Sequence, residues 1–547
     1  MLLLNLDHVA KFYGTRPIFE DLSWQIQEGD RVGLVGPNGA GKSSLLRMIA
    51  GLESVDGGQM VARKGLRICM LPQDVPAPPG STPRSTALEA RPDIAALETE
   101  LAAVEAAFVD PATLDDPDRW DTLVETQSRL LERHEAAGGL RLANEVTGLL
   151  KRLGFSAEEM DEPLDAMSGG QRKLAYLAGC LLGNPDLLLL DEPDNHLDLE
   201  GKAFLEGVVR EYAGAVVIIS HDRYLLDNTV SSIAEMSDGR LTLFEGNYSS
   251  YAVQKELALA RQQELYTAQQ KEIKRLEEAV ARFKLWASMV IDERHIKQAR
   301  NKQRQIDSMD KIDRPVLERR KMGLQLRPSV RGGQKVIELR GVGKTFPANG
   351  HSPVTVLRHA EGLVRAGERV GIVGPNGAGK SVLFRLILGQ EAPTSGEVWI
   401  GPSIKVAYYS QEHQTLNMDQ TPLEMLREAQ PMYEQQAVGF LGRFLFTYEQ
   451  CRRPIRTMSG GEKARLQLAR LMLSGANCLL LDEPTNNLDI LSAEVLERAL
   501  EDYTGAVVVI SHDRYFLDHV VDRIWALEDG RLHEYLGGWS AYAEARA

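Results

Sequence analysis

The chain has 547 residues but only four cysteines, Cys69, Cys180, Cys451 and Cys478, with no C-x-x-C pair among them. That scarcity argues against a zinc centre, an iron–sulfur cluster or a disulfide framework, and makes a reducing cytoplasm the expected compartment. Long apolar runs are also missing. The longest, "LLLL" before Asp191 and "AVVII" before Ser220, have strand length and fall far short of the roughly 18 residues of a membrane helix. The N-terminal "MLLLNLDHVAKFYG" lacks a basic n-region and a cleavage-like site, so no signal peptide is expected. Glycine and proline number 48 and 24, yet neither occurs from Asn247 to Arg314. The net charge of −14 disfavours nucleic acid until its distribution is read. Residues 85–163 carry 18 acidic and 7 basic side chains, whereas residues 255–327 carry 18 basic and 11 acidic. An acidic segment hides a basic one.

What is present comes twice. "GPNGAGKS" at Gly36–Ser43 returns at Gly374–Ser381, 338 positions on, and Gln73 in "PQD" returns at the same offset as Gln411 in "SQE". The offset then falls to 291, from "SGGQ" at Ser168 to "SGGE" at Ser459, and from "SHDRY" at Ser220 to its copy at Ser511. The first half therefore holds 47 more residues between its glutamine and its serine. A repeat this long is a duplicated domain; solenoid periods run to only about 20–50 residues. The extra piece has apolar residues at helical spacing in "DIAALETELAAVEAAF" and "RWDTLVETQSRLLERHEAA", with a turn in "VDPATLDDPD". It predicts a solvated helical subdomain over about residues 85–150, with a docking arm for a partner as the other reading. "EGNYSSY" echoes "LGGWSAY" and closes the first repeat. The expected organisation is a first domain at 1–245, a linker at 246–330 and a second domain at 331–547.

The linker's apolar residues Ile273, Leu276, Val280 and Phe283 mark one helical face, and Ile306, Met309 and Ile312 another. They predict two long antiparallel helices reaching roughly 45–50 Å. Arg282, Lys284, Arg294, Lys297, Arg300, Lys302 and Arg304 cluster at the far end against Asp292 and Glu293. Such a stripe can neutralise phosphates, and Phe283 and Trp286 can pack on RNA or within the hairpin. A solvated basic face is the alternative.

Each repeated octapeptide follows a strand-like run and opens a helical one, the context a phosphate-binding loop requires. In Gly36, Pro37, Asn38, Gly39, Ala40, Gly41, Lys42, Ser43 and Ser44, and again in Gly374, Pro375, Asn376, Gly377, Ala378, Gly379, Lys380, Ser381 and Val382, the glycines let the backbone N–H groups of the non-proline residues approach the phosphates. Lys42 and Lys380 are expected on the β- and γ-phosphates of ATP, and Ser43 and Ser381 on Mg²⁺. Asp191 and Asp482 end apolar strands and are candidates for the outer shell of that ion. Glu192 and Glu483 follow them and can orient and deprotonate the attacking water. Gln73 and Gln411 can meet the metal or the water. His221 and His512, each after a strand, can contact the γ-phosphate. Tyr13 and Phe346 precede their loops and either stack on adenine or pack in the core. Ser168, Gly169 and Gly170, and Ser459, Gly460 and Gly461, open helices whose N–H groups form a second phosphate-binding surface.

Taken in order, P-loop, glutamine, "SGG", Asp-Glu, "LD" and histidine, these motifs resemble the ATP-binding cassette family twice over. The resemblance implies an α/β fold of two P-loop NTPase domains, in which the signature of one cassette completes the ATP site of the other. Gly36–Ser43 would pair with Ser459–Gly461, and Gly374–Ser381 with Ser168–Gly170, within one monomer needing no further subunit. Two cassettes in one chain, "EGNYSSY" leading into a helical linker, and "ARNKQRQID" at its basic end are similar to the ABC-F translation factors. That implies a partner in the ribosome, with the linker between exit and peptidyl-transfer sites touching peptidyl-site tRNA, no membrane role, and ATP closing the cassettes until hydrolysis releases them. Housekeeping elongation and antibiotic protection both remain open. A transporter ATPase subunit and a DNA-directed ATPase are the other classes. Asp194 departs from the family's usual threonine, which Thr485 keeps, and puts the geometry of the first D-loop in question.

Overall fold

A computed structural model describes residues 1–546 except 90, 109–116, 290–292, 310–322, 327, 329–332, 348–352, 411–415 and 487. Each half builds a six-stranded sheet in which five strands are parallel. In the first half the order is Ile68–Leu71, Leu187–Asp191, Ala215–Ile219, Arg31–Val35, Ser232–Ser237 and Arg240–Glu245, the last antiparallel. The second half repeats it with Val406–Tyr409, Cys478–Asp482, Ala506–Ile510, Arg369–Val373, Arg523–Glu528 and Arg531–Leu536. The unbroken apolar runs follow from burial on both faces. Leu187 and Leu189 enter a core shared with the three-stranded antiparallel sheet and the helix Lys42–Ile49, while Leu188 and Leu190 enter a second core under the helix Gly169–Leu182. The α/β, twin-NTPase expectation is the observed fold.

The two cores touch across the junction between halves. Ile490 of the second half belongs to the first half's core, and Leu199, its equivalent 291 positions earlier, packs on the second half's core. The contact is self-complementary, as expected of two copies related by a pseudo-two-fold axis.

The extra helices lie at Pro92–Phe108 and Pro117–Ala136; the next helix, Gly139–Arg152, has its counterpart in Glu434–Arg443 of the second half. Leu97, Leu101 and Leu130 are buried between the first two, and Phe108 meets Trp120 edge-on at 4.9 Å. Of the turn expected at residues 109–118, residues 109–116 lie outside the described residues, and Pro117 and Asp118 open the second of these helices instead. The linker starts as one helix of 42 residues, Tyr248–Met289, followed by Glu293–Asp307. Leu276 and Val280 of the first and Ala299 and Ile306 of the second are buried, so the two helices pack on each other. The first is roughly 63 Å long at about 1.5 Å per residue. It exceeds the expected limb because it continues to Met289, past the middle of the glycine- and proline-free stretch. Its root is fixed: Tyr251 is buried against Phe244, and the Ser249 N–H donates to Asp227 at 2.7 Å. Ile312 lies outside the described residues.

Cys69 and Cys180 are joined in a disulfide, with Cα atoms 5.7 Å apart across 111 residues of sequence, one bridge and not a framework. The helix carrying Cys180 packs on the strand carrying Cys69, a proximity that spacing along the chain does not reveal. Cys451 and Cys478 are free and buried.

Candidate nucleotide sites

Glycine is required where the chain turns tightest. Gly36 and Gly374 have φ of 152° and 155°, and a Cβ there would fall 2.2 Å from the Met236 carbonyl oxygen and 2.5 Å from that of Leu527. The loops wrap their own lysines. Lys42 is buried and donates to the Gly36 and Pro37 carbonyls at 2.8 and 3.2 Å; Lys380 donates to those of Gly374 and Pro375 at 2.8 and 2.9 Å. Burial lowers the pKa of both ammonium groups, a cost that a phosphate oxyanion in the loop would relieve.

The acid pairs stand at the ends of their strands. The Ser43 hydroxyl donates to Asp191 at 3.2 Å. Burial pushes the Asp191 carboxyl up to about 6, so this hydroxyl–carboxylate pair fits a divalent cation that would favour the charged form. Glu192 and Glu483 both adopt left-handed backbone, with φ of 49° and 48°, an unfavourable conformation for residues with a Cβ that recurs at functional sites. Glu192 accepts from the Gln73 and Asn195 amides, each at 2.7 Å, and lies 3.5 Å from His221 Nε2. Burial opposes its charge, yet the His221 ring and the lysines Lys42 and Lys173 hold it below the usual carboxylate range. Glu483 is pushed up to about 7 by burial and by Asp482. It accepts from the His512 N–H at 3.3 Å and sits 3.5 Å from His512 Nε2. Gln411 lies outside the described residues.

The loops of each half face the other half. The Asn38 N–H donates to Asp489 and the Asn376 N–H to Asp198, both at 3.3 Å, and the Asn376 side chain reaches the His196 carbonyl at 3.2 Å. A cavity of about 540 Å³ is lined by Ser168, Gly169 and Gly170 on one side and by Gly377, Lys380, Ser381 and Glu483 on the other. Ser168 and Ser459 each cap their helix in a reciprocal box, with Gln171 and Glu462. Around these sites Arg223 bonds Glu497 and stacks over Tyr515 at 3.8 Å, while Arg514 bonds Glu206 and stacks over Tyr224 at 4.4 Å.

Asp198 and Asp489 stood in the repeated "LD" motif without an assigned role, and both arginine–glutamate pairs went unread. All repeat at the 291 offset, a signal that was available, but only the fold shows that they cross between halves. Tyr13 is half-exposed, with its hydroxyl 3.1 Å from Ser44 Oγ and 3.0 Å from Glu53; Phe346 lies under the Lys344 ammonium at 4.8 Å. On the hairpin, Arg282, Lys284, Lys297, Arg300 and Arg304 are exposed, and Lys302 is half-buried and bonded to Gln305 at 3.1 Å. Arg294 lies in the first turn of the second helix. Phe283 and Trp286 meet at 5.8 Å.

A family model described as ABC transporter matches residues 19–195 and 357–486, and a second with that description matches 234–326. ABC transporter F family member 5 of Arabidopsis thaliana is 34% identical over 545 residues, covering 99% of this chain and 77% of the relative. The chain belongs to the ABC-F family of ATP-binding cassette proteins and is an ATPase. The energy-dependent translational throttle protein EttA of Haemophilus influenzae is 36% identical over 538 residues, covering 97% and 92% of the two chains. Among solved structures, the archaeal ribosome recycling factor aABCE1, crystallised with the ribosomal stalk protein aP1, matches with a TM-score of 0.60 at 18% identity, over 98% of this chain and 92% of that one. It shares the fold. Among the described residues of this ABC-F chain, no helix is long and apolar enough to cross a membrane.

Proposed function

We propose that this ABC-F ATPase is a cytoplasmic clamp on the ribosome, closed by ATP and opened by its hydrolysis, whose basic hairpin reaches peptidyl-site tRNA. The observation that carries the reading is the reciprocal contact of each P-loop with the opposite D-loop, Asn38 with Asp489 and Asn376 with Asp198. Each ATP site is then composite, and nucleotide is the glue between halves. Lys42 and the loop Gly36–Ser44 hold one triphosphate against Ser459–Gly461; Lys380 and Gly374–Val382 hold the other against Ser168–Gly170. Ser43, Asp191 and Gln73, and Ser381, Asp482 and Gln411, would hold Mg²⁺, which supplies charge neutralisation at the β- and γ-phosphates. Glu192 and Glu483 take the proton of the attacking water, and His221 and His512 steady the γ-phosphate. Tyr13 and Phe346 flank the adenines.

The linker is placed to follow closure. Its root and the seam share a cavity of about 530 Å³, lined by Pro37, Tyr248, Tyr251, Lys255, Asp489 and Glu494. A change at the P-loop or the opposite D-loop therefore reaches the base of a long rigid helix. The relative EttA is named a translational throttle, and the exposed basic end is suited to RNA backbone. Glu192→Gln with Glu483→Gln removes both bases and keeps the nucleotide contacts. This variant is expected to co-sediment with ribosomes in ATP and to arrest an extract's translation. Retention on duplex DNA or membranes, with ribosomes ignored, would overturn the proposal.

A further inference from the structure

The seam departs from its own symmetry in the first D-loop and the helix after it. Asp194 and Lys202 of the first half correspond, at the 291 offset, to Thr485 and Ala493 of the second. Lys202 lies on the helix Leu199–Glu211, whose N-cap is the D-loop Asp198. It is buried, and so are Asp194 and Asp222 beside it. Its ammonium donates to Asp222 at 2.8 Å and, across the seam, to the backbone carbonyl of His512 at 2.9 Å. The N–H of that same histidine donates to Glu483 at 3.3 Å, and its Nε2 stands 3.5 Å from the Glu483 carboxylate. The backbone of the switch histidine is thus gripped on its carbonyl by one half and on its N–H by the other. At the mirror position Ala493 has only a methyl group to offer His221.

A buried ammonium is costly unless its charge is balanced and its protons are placed. Asp222 accepts one hydrogen bond, and Asp194 and Asp513 nearby favour the charged ammonium further, while burial pushes the Asp194 carboxyl up and its Oδ1 finds no hydrogen-bond partner among the described residues. The departure from threonine at Asp194 therefore belongs with Lys202: the two form one unit, present in one half only.

We propose that Lys202 is a positioning residue acting across the seam for hydrolysis at the Lys380 site, and that its lack of a counterpart makes the two ATP sites turn over at unequal rates. Lys202 touches neither the reacting phosphate nor the water. It holds the His512 peptide so that the ring stays beside Glu483, and it leaves the Lys42 site to a histidine without this brace. This assignment rests on the composite-site reading above, with Glu192 and Glu483 as the two bases.

The test isolates one site at a time in the full chain. In a Glu192→Gln background only the Lys380 site hydrolyses; in Glu483→Gln only the Lys42 site does. Single-turnover hydrolysis and equilibrium ATP binding are measured in each. Lys202→Ala is expected to slow the Lys380 site by about ten- to a hundredfold, the scale of a small misplacement of a reacting group, with ATP affinity kept, and to leave the Lys42 site at its background rate. Asp194→Thr with Lys202→Ala, which installs the second half's own residues, gives the same result without leaving Asp194 buried beside a lost cation, while Asp222 keeps the Leu225 N–H. Lys202→Arg keeps a cationic donor and restores the rate. Thr485→Asp with Ala493→Lys builds the mirror brace and speeds the Lys42 site. Equal slowing of both sites, or none at the Lys380 site, would overturn the role of Lys202 while leaving the two bases in place. Undiminished hydrolysis in both glutamine backgrounds would instead overturn the base assignment, and this inference with it.

Discussion

In the seam, Arg223 and Arg514 are buried and each bonds a buried glutamate of the opposite half. On the hairpin, Arg282, Lys284, Lys297, Arg300 and Arg304 stand exposed. The first arrangement uses charge to set how two halves of one chain meet: geometry is repeated, partners are internal and water is excluded. The second leaves charge to solvent at the end of a long helix, where it contributes little to the fold and is available to an external anion. The residues of nucleotide chemistry and those of the exposed basic end therefore lie in different parts of the molecule, and substitutions at the basic end should spare hydrolysis.

The largest effect is expected at the bases. Glu192→Gln with Glu483→Gln should slow steady-state hydrolysis by about 10²–10⁴-fold, the usual worth of a positioned general base, while two ATP molecules still bind per chain. An ATPase assay with equilibrium nucleotide binding checks both halves of that statement. Next comes the seam itself. Arg223→Ala leaves Glu497 buried without its cation, a loss of about 3–5 kcal/mol for a buried pair. It should abolish the ATP-closed form, read as lost protection of the seam in hydrogen exchange. Arg514→Ala should match it, because Glu206 and Tyr224 mirror Glu497 and Tyr515; unequal losses would break the symmetry argument.

Charge reversal at the hairpin end should do the opposite. Arg300, Lys302 and Arg304 changed to Glu are expected to weaken ribosome binding and flatten its salt dependence, each lost phosphate contact removing roughly 0.7–0.9 from the logarithmic slope. Hydrolysis without ribosomes should be unchanged, since these residues lie tens of ångströms from the P-loops, about the length of the helix. The smallest effect is expected at Tyr13. Tyr13→Ala, which removes the ring proposed to stack on adenine, should raise KM for ATP by about two- to tenfold, with kcat kept; Tyr13→Phe tests whether the hydroxyl contacts with Ser44 and Glu53 matter.

The parts that could be read in advance are those that repeat. Loop glycines, acid pairs, capping serines and strand-end histidines recur in fixed order, and each residue type is dictated by local backbone or phosphate chemistry. Their places in the twin sheets followed. The seam was less legible because its partners are distant: Arg223 and Glu497 are 274 residues apart, and only the closed fold brings them together. Cys69 and Cys180 met for the same reason. Lys202 was hidden differently. A lone lysine in "LEGKAF" reads as solvated until the helix Leu199–Glu211 turns it into the seam. Asp194 did stand out as a departure, and its partner could be named only once the D-loop and that helix were seen together.

The decisive measurement is electron cryo-microscopy of the Glu192→Gln, Glu483→Gln variant bound to translating ribosomes in ATP. The expected image has both cassettes closed on nucleotide at the ribosome surface, with the end of the hairpin carrying Arg300 and Arg304 against the tRNA in the peptidyl site. Cassettes docked with the hairpin turned away from tRNA, or ribosomes carrying no trapped protein at all, would contradict the clamp.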